Sequence, residues 1–144
     1  MSTSEGNGMI TKVLIVAIVE NANGDVLMRK KPDGSPPYNE TWYIFGAELR
    51  PGMDIVETLR THIKNQTGIE TELVDRLGWD DEVKADLDGV TKQFIYLDVR
   101  SQYVSGELQL TEGIEKLEWV PKNRLAEYDL VPPSRKLFAK LGWV

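Results

Sequence analysis

"FGAELRPGMDIVETLRTHIKNQTGI", residues 45–69, decides how the rest of the chain is read. An apolar run passes through a glycine and a Pro-Gly pair into an amphipathic helix, which a second glycine closes. Asp54 offers an N-cap oxygen, and Glu57 three residues later completes a capping box. Ile55, Val56, Leu59 and Ile63 recur at helical spacing and form the expected buried stripe. Gly68 suits the left-handed position that ends a helix. The second half of the helix, "THIKNQ", carries no carboxylate. His62, Asn65 and Gln66 stand three and four residues apart and therefore share one face.

Working outward, "TKVLIVAIVE" (11–20) is almost continuously apolar and β-rich, the signature of a central strand buried on both faces. "NANG" (21–24) turns the chain into "DVLMRKK", and "PDGSPPYNE" (32–40) is a loop by composition. "TWYIFGAEL" returns as a strand broken at Gly46. "IETELVDRLGWDDEV" reads as an edge-like strand. "KADLDG" turns into "VTKQFIYLDVR", where Val90, Lys92, Phe94, Tyr96 and Asp98 alternate against Thr91, Gln93, Ile95, Leu97 and Val99. "EKLEWVP" is a short strand, and "PPSRKLFAKLGWV" is a helix opened by proline. Strand pairs with two well-separated helices predict an α/β fold, a mixed sheet clamped between two main helices as an α/β/α sandwich.

The chain has 144 residues, a formal net charge of −6 and no cysteine. That length suits one domain, expected over residues 9–144, with "MSTSEGNG" (1–8) as a disordered leader. Without cysteine there are no disulfides and no thiolate chemistry, in keeping with a cytoplasmic address. "VLIVAIV" is far too short to span a membrane. Interspersed charges of net negative sign argue against general nucleic-acid binding.

Strand, W-x-x-x-G, Pro-Gly, helix, Gly-hydrophobic: this arrangement resembles the Nudix box. The family pattern is glycine, five residues, Glu, seven residues, then Arg-Glu-hydrophobic-any-Glu-Glu-any-Gly-hydrophobic. Anchored at Gly68-Ile69, it runs back without a gap to Ala47. Gly46, Gly52, Ile63, Gly68 and Ile69 keep the scaffold. "WDDEVKADLDGVTKQFIYL", "LEWV" and "LAEYDLVPPSRKLFAKLG" resemble the branch of Nudix hydrolases that cleans nucleoside-triphosphate pools. The departures fall on the chemistry: Ala47 replaces the second box glycine, Met53 the first Glu, Thr61 the Arg, His62 the next Glu, and Asn65-Gln66 the Glu pair. In active relatives the carboxylates of that face bind Mg²⁺ or Mn²⁺ against a pyrophosphate, and the metal activates the attacking water.

The resemblance also implies where substitutes and ligands would lie. Glu48 follows Ala47 in the loop that faces phosphates, and Glu112 matches a loop position that carries a metal-binding or basic Glu. With His62, these are the candidate catalytic residues, and Glu48 and Glu112 are the candidate metal ligands. Arg29, Lys30 and Lys31 border the substrate cleft of relatives, where Arg29 and Lys31 are candidates for phosphate contacts. Trp79 and Tyr96, like Trp42 and Tyr43, offer stacking surfaces. Ser134 and Arg135 stand where relatives read the base. "DLD" (86–88) reads as a hairpin turn rather than a calcium loop.

Three functions stay open. One is a Nudix-type pyrophosphohydrolase acting on a nucleoside di- or triphosphate derivative with Mg²⁺ or Mn²⁺. Another is a nucleotide-binding sensor that has lost the metal. The last is an interaction module, for instance a homodimer.

Overall fold

The structure, a computed structural model, describes residues 8–144, so residues 1–7 of the expected leader lie outside it. Its organising element is β1 (Thr11–Glu20), flanked by antiparallel β4 (Phe45–Leu49) and parallel β6 (Thr91–Ser105). The mixed sheet runs β3-β2-β1-β6-β5, with β2 (Val26–Lys30), β3 (Trp42–Tyr43) and β5 (Glu70–Ala85). In addition, β7 (Lys116–Val120) pairs with β2. As expected of a continuously apolar strand, β1 feeds two cores. Ile15, Ala17 and Val19 join Leu59 and Ile63 of helix α1 (Ile55–Thr67). Ile18 joins Leu137 and Phe138 of helix α2 (Pro132–Lys140) on the other side. The two helices therefore sandwich the sheet. No helix among the described residues is long and apolar enough to cross a membrane.

Helix α1 begins as its cap predicts: Asp54 Oδ2 accepts from Glu57 N at 2.8 Å. The reciprocal half of the capping box is missing, because the Glu57 carboxylate binds Arg60 instead. At the other end Gly68 has φ +82°, and its N–H reaches Lys64 O. A side chain at Gly68 would also press on Glu107 O at 3.0 Å. The buried face of α1 consists of Leu59, Ile63 and Thr67. Each fully buried aliphatic here contributes roughly 2 kcal/mol. Ile55 and Val56, expected in that stripe, are 40% and 48% exposed. They sit in the first turn, where Ile55 lines an outer groove with Met53 and Lys12 rather than the core.

Other elements also differ from the sequence reading: β6 runs on to Ser105, and α2 ends at Lys140. The strand expected to break at Gly46 breaks at Ile44; Gly46 lies inside β4, opposite Val16. The segment Lys122–Glu127 forms a 3-10 helix that buries Leu125, which pattern reading left unassigned. The NANG turn forms with Asn21 Oδ1 accepting from Asn23 N and Asp25 N, while Gly24 takes a positive φ. The 86–89 turn is held by lysines: Asp86 binds Lys12 at 2.7 Å and Lys92 at 2.9 Å, and Asp88 binds Lys92 at 2.8 Å.

Candidate functional site

Polar and aromatic side chains gather on both faces of the sheet. On the α1 side, Arg29 of β2 is buried beneath Tyr43 and Phe45, its guanidinium 4.0 and 4.4 Å from their ring centres. Arg29 Nη1 donates to Gln66 Oε1 at 2.6 Å and Nη2 to the Ile44 carbonyl at 2.7 Å. Burial lowers its pKa to about 10, which still leaves it charged near neutrality. His62, one turn before Gln66, is mostly buried, and its Nε2 has no hydrogen-bond partner. Burial first, and then the Arg29 charge, lowers the His62 pKa to about 4, so the imidazole is neutral at pH 7. Asn65 is exposed.

This face does not fit a hard dication. Mg²⁺ and Mn²⁺ want anionic oxygen, and the donors here are one neutral imidazole and two neutral amides. The Gln66 oxygen is already committed to a guanidinium. A dication sharing that oxygen would sit within a few ångströms of a full positive charge, a repulsion of several kcal/mol even at an effective dielectric of about 20. Among the described residues, no three His, Asp or Glu side chains converge elsewhere as a metal set.

On the α2 side, pairing register builds a second surface. Phe94 lies opposite Lys12 of β1 and Glu82 of β5; Tyr96 opposite Leu14 and Asp80; Asp98 opposite Val16 and Gly78. Of this row, Phe94, Tyr96, Leu14 and Val16, with Tyr38, Ile44 and the start of α2, enclose a cleft of about 240 Å³. A smaller recess of about 110 Å³, lined by Val16, Tyr96, Asp98 and Asp80, continues it beneath Pro133. Glu82 fixes one wall. It accepts from Tyr38 Oη at 2.9 Å and from Tyr96 Oη, and Lys84 lies over the Tyr38 and Phe94 rings. Burial and the bond to Glu82 raise both phenol pKa values, so these hydroxyls remain donors.

The structure brings some of the sequence candidates together and separates others. Tyr96 and Ser134 line the cleft, where Ser134 Oγ accepts from Ile44 N at 3.3 Å. Arg135 is exposed on the outer side of α2. Trp79 is 72% exposed, because strand alternation turns it away from Asp80 and the cleft. Lys31 is buried, and its ammonium binds the carbonyls of Ser35 and Tyr38, which anchors the 32–40 loop. Lys30 pairs with Asp33 and Glu115. Trp42 packs edge-on against Tyr128 in the α2-side core. Glu48 pairs with Lys12 at 3.6 Å, whereas Glu112 is exposed in the turn after Thr111, whose hydroxyl donates to Gln66 O. Tyr38, Lys84 and the Asp80–Asp98 pair had not been singled out as site residues. Asp98 was visible in sequence as an acid alternating with Phe94 and Tyr96 on one strand face.

Comparison with known proteins agrees with this architecture. The MutT protein of Methanosarcina mazei Go1 superposes with a TM-score of 0.73 at 18% identity, covering 92% of this chain and 93% of that one. A MutT NUDIX hydrolase from Burkholderia pseudomallei gives 0.74 at 20% identity, covering 91% and 98%. In sequence, the chain is 26% identical to the nucleoside triphosphatase NudI of Enterobacter sp. (strain 638), over 93% of this chain and 99% of that protein. The family model described as the NUDIX domain matches residues 11–141. This chain, from the first residue of β1 to the residue that caps α2, belongs to the NUDIX domain family.

Proposed function

We propose that this chain binds a nucleoside di- or triphosphate derivative in the α2-side cleft, and that its α1 face no longer supports the family's metal-dependent hydrolysis. One observation carries the reading: the 2.6 Å bond from Arg29 to Gln66 places an organic cation on the face that would have to receive a metal. The cleft itself keeps aromatic walls and a fixed border in Tyr38, Phe94, Tyr96 and Glu82. A largely apolar concavity with a few placed polar groups is what a flat heterocycle requires.

Calorimetric titration of the full chain with nucleoside triphosphates in EDTA tests the reading. Binding that survives metal removal, with phosphate release at background in Mg²⁺ or Mn²⁺, is the expected result. No binding of any nucleotide would overturn it.

A hydrolytic reading has its own support, since the relatives matched over nearly the full length are named nucleoside triphosphatases. In that case catalysis would have to run through Glu48, Glu112 and His62. Metal-dependent turnover that is lost in Glu112→Gln would favour it.

A further inference from the structure

Helix α1 does not cover the whole width of its sheet face. Register places Leu49, Val13, Ile95 and Asp81 in one row across β4, β1, β6 and β5, and Ala47, Ile15, Leu97 and Trp79 in the next. Ala47 and Ile15 are buried in the core beneath the helix, but Val13, Ile95 and Leu97 stay half-buried. At the β5 end, Trp79 and its same-face neighbour Val83 are 72% and 57% exposed. At the β4 end, the exposed Met53 and Ile55 line a groove of about 550 Å³ with Val13 and Leu49. Helix α2 packs on the opposite face and closes none of this one.

Single exposed apolar side chains are ordinary, whereas a band of them across four strands marks a contact surface. The charges at its two ends say what fits it. Arg50 borders the β4 end, exposed, and its one ion pair among the described residues is a long one of 3.9 Å to Glu48. Asp81 ends the row on β5, exposed and in no ion pair among the described residues. A two-fold axis running along the strands, above the boundary of β1 and β6, turns such a row end for end. It lays β4 of one copy over β5 of the other, so Arg50 meets Asp81 of the second copy, and symmetry makes that pair twice. The same rotation brings Trp79 to the exposed Met53 and Ile55 of the second copy. Each exposed end of the band thus finds its complement in the other.

We infer that this face is the interface of a homodimer, two sheets packed face to face with the first turn of each α1 against Trp79 of the other copy. An apolar centre with charges at its rim is the anatomy of such a contact. The cleft lies on the opposite face of each copy and stays open, so the dimer does not depend on the nucleotide-binding reading above.

The test is sedimentation equilibrium of the full chain. At about 100 µM the wild type should run at twice the monomer mass. Trp79→Ser, folded by its circular dichroism because the ring is exposed in the monomer, should run as a monomer. Arg50→Asp or Asp81→Arg alone should weaken the dimer at least about tenfold, since each sets like charges together twice. The double variant carrying both changes should recover the affinity. A monomeric wild type, a dimer unmoved by Trp79→Ser or by either single charge change, or a double variant no better than the singles would each overturn the interface.

Discussion

Arg29 and Gln66 are 37 residues apart in sequence, and a 2.6 Å hydrogen bond joins them, tying β2 to the last turn of α1. The same guanidinium holds the Ile44 carbonyl at the break between β3 and β4. One buried side chain thus fixes three elements at the face that carries His62, Asn65 and Gln66.

Replacing that side chain should be costly even though no core apolar group is lost. Arg29→Met removes two charge-assisted bonds and leaves two acceptors in need of new donors, a destabilisation of about 2–4 kcal/mol. Urea unfolding measures it. An unchanged midpoint would show that the link contributes nothing to the fold.

Restoring acids to α1 should fail while Arg29 remains. In a His62→Glu, Asn65→Glu, Gln66→Glu, Thr61→Arg variant, the carboxylate at position 66 will pair with the guanidinium, and Mn²⁺ affinity will stay weak. Adding Arg29→Met should tighten Mn²⁺ at least about tenfold, read by calorimetry or by electron spin resonance of the free ion. Tight Mn²⁺ binding with Arg29 intact would contradict the electrostatic argument.

His62 makes stability depend on pH in a defined direction. Its folded pKa of about 4 lies below the ordinary 6.5, so on acidification the unfolded chain takes up this proton first. The contribution is fully present above pH 6.5 and is lost as pH falls towards 4, by at most roughly 3 kcal/mol. His62→Gln should show a correspondingly flatter stability profile across that window. Parallel profiles for the two proteins would mean that the imidazole is not held neutral by the fold.

The loop 32–40 depends on Lys31, whose ammonium binds the carbonyls of Ser35 and Tyr38. Lys31→Ala should raise amide exchange across the loop by about tenfold or more, with little change in β1, because local opening is set by local contacts. It should also weaken nucleotide binding through the displaced Tyr38 wall. Unchanged exchange would assign the loop's order to Tyr38–Glu82 alone.

What the sequence made legible was mostly local. The Asp54 cap, the Gly68 ending and the alternation of β6 follow from spacings of a few residues, and the structure has all three. The exposure of Ile55 and Val56 was not legible, because helical periodicity says which residues share a face but not where the sheet beneath ends. The burial of Arg29 was not legible either. A basic residue in "MRKK" looks solvated until the rings of Tyr43 and Phe45, 14 and 16 positions away, close over it. Asp98 lies between these cases. Its place beside two aromatics was in plain view, but its burial beside Asp80 depended on how β5 pairs with β6.

The two-sided burial of β1 keeps α1 and the cleft on opposite surfaces of one sheet. Substitutions on the α1 face therefore reach the cleft through one side chain, Arg29, whose guanidinium joins Gln66 to the carbonyl of Ile44 in the cleft wall.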